Sequence, residues 1–234
     1  MTSRQLIQDL REASSTERAK INQWFFKTGP GEYGEGDQFW GIRVPDIRKL
    51  IKPYTGLSPK AAHPLLRSPI HEQRLAALFL LVAQFQKGTK KTQQEIYRFY
   101  MKNLKYVNNW DLVDLSAWQI VGGYLFEKSR KPLYVLAKSP NLWKRRVAII
   151  ATFYDIKQHE FHETLKIAKM LVGDHEDLIH KAVGWMLREV GKRAVKVEEG
   201  FLKQHYTTMP RTMLRYAIER FPEGKRHRYL HGKA

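Results

Sequence analysis

The stretch Ser68-Pro69-Ile70-His71-Glu72-Gln73-Arg74-Leu75-Ala76-Ala77-Leu78-Phe79 has an echo 71 residues later. Ser139-Pro140-Asn141-Leu142-Trp143-Lys144-Arg145-Arg146-Val147-Ala148-Ile149-Ile150 aligns with it without gaps. In each copy Ser-Pro stands at a helix start, where the missing proline N–H has no partner to lose. A further shift of 36 residues sets Lys181 beneath Arg145 and Gly184 beneath Ala148. Starts near 70, 109, 141, 174 and 210 then describe helix pairs spaced by 32–39 residues. The pattern predicts an all-α chain: a HEAT-like or armadillo-type superhelical solenoid of antiparallel helix pairs with a concave basic groove.

Helix signals extend outward from the echo. Ser14 and Glu17 have the spacing of a capping box, ahead of apolar Ile21, Trp24 and Phe25. A helix is expected from Thr89 to Leu104, and another from a cap at Asn108 or Asn109 to Gly122-Gly123. Pro132 opens a short one, and others are expected over 141–155, 158–171, 175–190, 195–205, 210–220 and 223–230. No run alternates as a strand does. The exception to helix is the Gly-rich loop at 29–37, whose four glycines and Pro30 cannot continue a helix. It carries Glu32, Glu35 and Asp37, and no Gly-Lys-Ser or Gly-Lys-Thr follows to make it a phosphate loop. It reads as a rigid connection or as a substrate contact, with Tyr33 as a stacking or wedging side chain.

The chain has 234 residues, with 41 Lys plus Arg against 23 Asp plus Glu, a formal charge of +18. That excess favours a polyanionic partner, nucleic acid ahead of anionic membrane. The cations are spread over many segments, as a surface following a duplex backbone requires. Absence of cysteine excludes a disulfide scaffold, thiol catalysis and Cys-ligated zinc. Charges throughout residues 1–20 leave no apolar signal core, and the run from Leu75 to Ala83 is too short to span a bilayer. A cytoplasmic, monomeric protein with residues 1–234 as one domain is expected, with no membrane partner and no cofactor.

Within this basic chain lies Asn109-Trp110-Asp111-Leu112-Val113-Asp114. On a helix Trp110 and Asp114 share one face. A carboxylate repels phosphate, so its pairing with an aromatic plate points to chemistry on nucleic acid beyond binding. Arg146 is a cation where the repeat has Leu75 and Ala182, and Trp185 stands beside Gly184. Asp111 and Asp114 diverge on a helix, and no His-x-x-x-His accompanies them, which argues against a metal site. His71, His159, His162, His175 and His180 read as surface or core histidines.

Four segments together resemble the AlkD family of DNA alkylation repair glycosylases. They are Trp110-Asp111-Leu112-Val113-Asp114, Trp143-Lys144-Arg145-Arg146-Val147-Ala148-Ile149, the run from Lys181 to Glu189, and Gly41-Ile42-Arg43-Val44-Pro45. The resemblance implies a HEAT-like fold and excision of cationic N3- or N7-alkylated purines from double-stranded DNA, without base flipping and without a cofactor. It implies Asp114 as the catalytic carboxylate, Arg146 at a phosphate near the lesion, and Trp110 and Trp185 against the deoxyribose and backbone. Arg43, Arg48, Arg74, Arg145 and Lys181 are expected as further backbone contacts, and the protein is expected to associate with the nucleoid when bound. The loop at 29–37 departs from the family pattern, and Phe25 or Phe26 stands where relatives have a different aromatic. Relatives with little or no glycosylase activity leave open a non-catalytic HEAT-like protein that binds damaged or branched DNA.

Overall fold

The computed structural model describes residues 1–233, and these are helical apart from loops and an isolated parallel bridge between Gln38 and Ile70. Contacts divide the chain into two compact units, Met1–Ile120 and a second from Val121 onward. The first holds α1 (Ser3–Glu12), α2 (Thr16–Phe25), α3 (Val44–Leu50), α4 (Pro59–Leu66), α5 (His71–Lys87), α6 (Lys90–Lys102) and α7 (Trp110–Asp114). The second holds α8 (Gly123–Leu125), α9 (Lys131–Ala137), α10 (Leu142–Ala151), α11 (Phe153–Lys157), α12 (His162–Leu171), α13 (Asp177–Gly191), α14 (Val195–His205), α15 (Arg211–Ala217) and α16 (Glu223–Leu230). No helix among the described residues is long and apolar enough to cross a membrane.

Helices occupy most of the expected spans, but α1, α3 and α4 were not foreseen, the span 141–155 is divided between α10 and α11, and three further differences are instructive. Ser15, not Ser14, caps α2, its hydroxyl accepting the Arg18 N–H at 3.4 Å. The α5 helix begins at His71, because the Gln38 carbonyl takes the His71 N–H at 2.8 Å. The helix expected to run to Gly122-Gly123 breaks after Asp114 and resumes as a π-helical turn, Trp118–Gly122. Ser116 explains the break: its hydroxyl donates to the Leu112 carbonyl at 2.5 Å and meets the Tyr100 hydroxyl at 2.9 Å. Side-chain bonding to a carbonyl four residues back competes with the helical ladder.

The core of the first unit is α5, buried from His71 to Val82. A helix enclosed on every side must be apolar all round or must satisfy its polar groups internally. From Leu75 onward α5 takes the first course; His71, Glu72 and Arg74 take the second. In the second unit α10 and α13 fill the centre, with Val147, Ile149, Ile150, Val183 and Met186 fully enclosed. A β-carbon at Gly184 would lie 2.4 Å from the Met213 carbonyl oxygen, so α13 meets α15 at a distance that only glycine permits.

The echo around Ser-Pro has a shared structural cause. Arg74 Nη1 reaches back to the Ser68 and Pro69 carbonyls at 3.0 and 3.4 Å, while Nη2 pairs with Asp37 at 2.6 Å. Arg145 Nη1 reaches the Ser139 and Pro140 carbonyls at 3.0 and 2.9 Å, while Nε pairs with Asp174 at 2.6 Å. Each arginine ties down the loop that starts its own helix. Both guanidiniums, expected at the DNA backbone, are held by carbonyls and a carboxylate within the protein. Lys181, third in the series, does not repeat this geometry and pairs with Asp177 one turn away at 2.7 Å.

Gly41 adopts φ +76°, and a β-carbon there would meet the Ser15 carbonyl oxygen at 2.3 Å and the Ala19 nitrogen at 2.5 Å. Both the left-handed backbone and the close approach require glycine. Gly41→Ala is expected to destabilise the protein by roughly 3 kcal/mol, read as a lower urea midpoint with an unchanged slope.

Candidate functional site

In the first unit a buried network ties three separate segments together. His71 Nε2 lies 2.7 Å from Asp111 Oδ2, and its Nδ1 lies 3.1 Å from Asp37 Oδ2. Asp37 closes the Gly-rich loop, Asp111 lies on α7, and His71 opens α5. Asp37 also accepts from Arg74 at 2.6 Å and from Asn109 Nδ2 at 3.0 Å. The Asn109 side-chain Oδ1 in turn caps α7 by accepting the Trp110 N–H at 2.8 Å. Next to His71, Glu72 accepts the backbone N–H groups of Trp40, Gly41 and Ile42 at 2.9, 2.7 and 3.2 Å. The acidic loop thus has a physical function: Asp37 anchors it beneath α7.

Burial alone would drive His71 toward the neutral form. The Asp111 charge, with hydrogen bonds to Asp111 and Asp37, outweighs burial and the opposing Arg74 charge, lifting its pKa to about 9. As an imidazolium, His71 donates from both nitrogens. Burial would likewise raise Asp37, but the His71 hydrogen bond, the Arg74 charge and Asn109 hold it below the usual carboxylate range. Two cations, His71 and Arg74, face two carboxylates, so the network closes in charge as well as in hydrogen bonds.

An aromatic cluster covers this network. Phe39 stacks on His71 with centroids 4.6 Å apart, Phe26 on Phe39 at 5.0 Å, and Trp110 on Phe26 at 5.3 Å and 15°. Phe25 meets Trp110 edge-on at 6.0 Å. Phe26 is buried and sets the plane of the Trp110 indole, whereas Phe25 is exposed. Tyr33 is half-buried, its hydroxyl donating to the Phe25 carbonyl at 3.4 Å.

The α7 helix is a single turn, with Trp110 at its first position and Asp114 at its last. Leu112 and Val113 are fully buried, while Trp110 and Asp114 are partly accessible. Behind Asp114 lies Tyr100, whose hydroxyl is pushed upward in pKa by burial and by the Asp114 charge, against the Ser116 hydrogen bond. Asp111 is structural, and Asp114 is the carboxylate that this turn leaves partly accessible.

In the second unit Arg146 is buried on α10 and donates to the Leu178 carbonyl, while Trp143, three residues earlier on the same helix, is also buried. Trp185 is half-buried on α13, 5.9 Å from the Phe153 ring. It also bonds Glu189, whose pKa burial would raise but which Lys192, Arg193 and Trp185 together hold down. Among the remaining expected contacts, Arg43 is exposed beside Asp46 at 2.7 Å, and exposed Arg48 lies over the Phe79 ring at 4.9 Å. Sequence reasoning offered Asn109 as a cap, as found, but missed His71 and Asp37 as the partners beneath α7. The one available signal was an acidic loop in a basic chain.

Successive short helices, packed as hairpins around enclosed central helices, define an all-helical repeat-type protein with a half-exposed Trp–Asp turn. A family model described as DNA alkylation repair enzyme matches residues 6–221, and the chain belongs to that family. Among solved structures it is similar to a predicted DNA alkylation repair enzyme from Enterococcus faecalis, with 18% identity and a TM-score of 0.70, over 90% of this chain and 97% of that one. It is also similar to AlkD2 from Streptococcus mutans, with 19% identity and a TM-score of 0.54, over 95% of this chain and all of that one (100%). No curated protein sequence matches it.

The network predicts an alkaline loss of stability. Unfolded histidine titrates near 6.5, whereas folded His71 titrates near 9. Below 6.5 both states hold the proton and the full stabilisation is present; it declines as pH rises and is gone above 9. The loss is on the order of 3 kcal/mol. Glu198, raised from 4.5 to about 8 by burial and then by Glu199, adds a loss of its own from the second unit as pH rises from about 4.5 to 8. Urea titrations at several pH values are therefore compared with His71→Gln, which is expected to be less stable at neutral pH and to show a shallower decline.

Proposed function

We propose that the protein is a DNA glycosylase that hydrolyses the N-glycosidic bond of cationic N3- or N7-alkylated purines in duplex DNA, with Asp114 as the catalytic carboxylate. The observation that carries this reading is α7 itself. One helical turn holds Trp110 and Asp114 partly accessible, while Asp111, on the same turn, is locked to His71. Membership of the DNA alkylation repair family supplies the substrate setting.

The chemistry suits one fixed carboxylate. Alkylation at N3 or N7 makes the purine cationic, so it departs as a neutral base and needs little protonation. As the bond lengthens, positive charge builds on the deoxyribose. A preorganised carboxylate stabilises that oxocarbenium-like state and orients the attacking water or takes its proton. The Trp110 face adds cation–π attraction to the developing charge and excludes bulk water.

In this reading Arg146 and Trp185 serve DNA in the second unit. Arg146 is a buried cation on a carbonyl, so a phosphate contact requires its guanidinium to exchange that partner. Arg43 and Arg48, exposed on the first unit, fit phosphate contacts directly, and Lys181 fits one through its partly exposed ammonium. The whole chain would act as one catalytic monomer that leaves the base stacked, in the cytoplasm and on the nucleoid.

Duplex DNA carrying N7-methylguanine or N3-methyladenine tests the reading. The parent is expected to release free base, and Asp114→Asn to lose about 100-fold or more in single-turnover rate while retaining DNA affinity. Release at the parental rate by Asp114→Asn would remove Asp114 from catalysis. No release by the parent, with DNA binding intact, would make the protein a non-catalytic binder.

Arg146→Ala is expected to weaken duplex affinity and to lower the slope of log K against log salt by about one phosphate contact. Fluorescence anisotropy at several salt concentrations checks this; an unchanged slope would argue against the contact.

A further inference from the structure

The α2 helix is anomalous within a well-packed unit. None of its ten residues is buried. Its apolar positions, Ile21, Trp24 and Phe25, fall at i, i+3 and i+4, the spacing of one helical face. They are 56%, 82% and 55% exposed. A ten-residue helix is too short to persist alone and normally depends on burying such a face. Here its first turn lies against Gly41 and both its ends are bonded. The Ser15 N–H bonds the Trp40 carbonyl at 2.8 Å. At the C-terminus Lys27, at φ +52°, donates to the Trp24 carbonyl, and Thr28 donates to that of Gln23. That is the bonding of a Schellman stop. The aromatic face is presented rather than packed.

Beside Trp24 the Gly-rich loop borders an open depression of about 390 Å³, lined by Gln23, Trp24, Phe25, Lys27, Thr28 and Glu32 among others. Its lining combines two aromatic side chains with polar and charged ones. The loop holds its own shape there, with the Gly29 N–H on Glu32 at 2.9 Å and the Gly31 N–H on Glu35 at 3.0 Å. Phe25 joins this face to Trp110 by its edge contact at 6.0 Å.

We propose that this face is a second DNA subsite, where an unpaired nucleobase stacks on the Trp24 indole with its polar edge toward Gln23, Thr28 and Glu32. The occupant follows from the lining. A flat ring with a hydrogen-bonding edge matches an exposed indole with an amide, a hydroxyl and a carboxylate in the same lining. The carboxylate suits exocyclic amino groups, which only donate. An acyl chain or an apolar peptide would desolvate those polar groups without replacing their partners. Exposed Lys20 and Lys27, in a chain of charge +18, favour the phosphates that accompany such a base. Base faces are hidden in intact duplex, so this subsite selects DNA with an opened pair, a bulge or a single-stranded end. It rests on the reading that the protein binds DNA, but not on excision.

The test is the affinity of the full chain for undamaged DNA. A duplex with a one-nucleotide bulge is compared with its fully paired counterpart at fixed salt, for the parent, Trp24→Ala and Trp24→Phe. The parent is expected to prefer the bulged duplex. Trp24→Ala should lose about tenfold on it, Trp24→Phe much less, and both should bind the paired duplex as the parent does. Because Trp24 is 82% exposed, these variants should fold normally, with unchanged circular dichroism. Equal losses on both duplexes, or no loss on either, would overturn the proposal. Self-association abolished by Trp24→Ala would also overturn it, assigning the face to a second copy. Failure of base release with this bulge preference intact would reject the glycosylase reading and leave the subsite standing.

Discussion

His71 holds a proton at neutral pH that an ordinary histidine would largely have released, and three segments far apart in sequence meet on it. An imidazolium enclosed among carboxylates is expensive to form, since each ion loses its water. Here the cost is offset by completeness: both ring nitrogens have acceptors, Arg74 holds Asp37 from the other side, and the charges close. Remove the histidine and two buried carboxylates lose a shared partner. The Gly-rich loop and α7 would lose their common anchor in the same event.

That constraint explains why so short a helix can carry a candidate catalyst. Five residues form no stable helix on their own. The turn persists because Asn109 caps it, Asp111 is held by His71, and Leu112 and Val113 are buried. Trp110 is aligned by Phe26 from above. The residues between the candidate pair are therefore the ones that hold it, and the chemistry proposed for Asp114 depends on the rigidity of its neighbours.

Much of the fold was legible because helix signals are local. The helix expected from Thr89 is α6, with Thr89 as its cap, Pro132 lies in the first turn of α9, and α14 spans Val195–His205. The Ser-Pro echo was legible too, yet its meaning was not. Sequence shows the charge of Arg74 and Arg145 and hides their partners, Asp37 and Asp174, which lie 37 and 29 residues away. The break after Asp114 was invisible for a related reason, since Ser116 competes for the helical ladder with help from Tyr100, 16 residues earlier. In the site, the Trp110–Asp114 spacing could be read directly, whereas His71 could not. Nothing around it in sequence distinguishes a bridging imidazolium from an ordinary core histidine.

The protonation state of His71 is the most direct measure of whether the site is organised as described. Nitrogen-15 chemical shifts of histidine imidazoles, with His71 assigned by comparison with His71→Gln, would follow it across the pH range. The account predicts that both His71 ring nitrogens remain protonated through neutral pH and titrate near 9. A neutral His71 imidazole with one unprotonated nitrogen at pH 7 would contradict the network on which the loop, the helical turn and the placement of Asp114 are argued to depend.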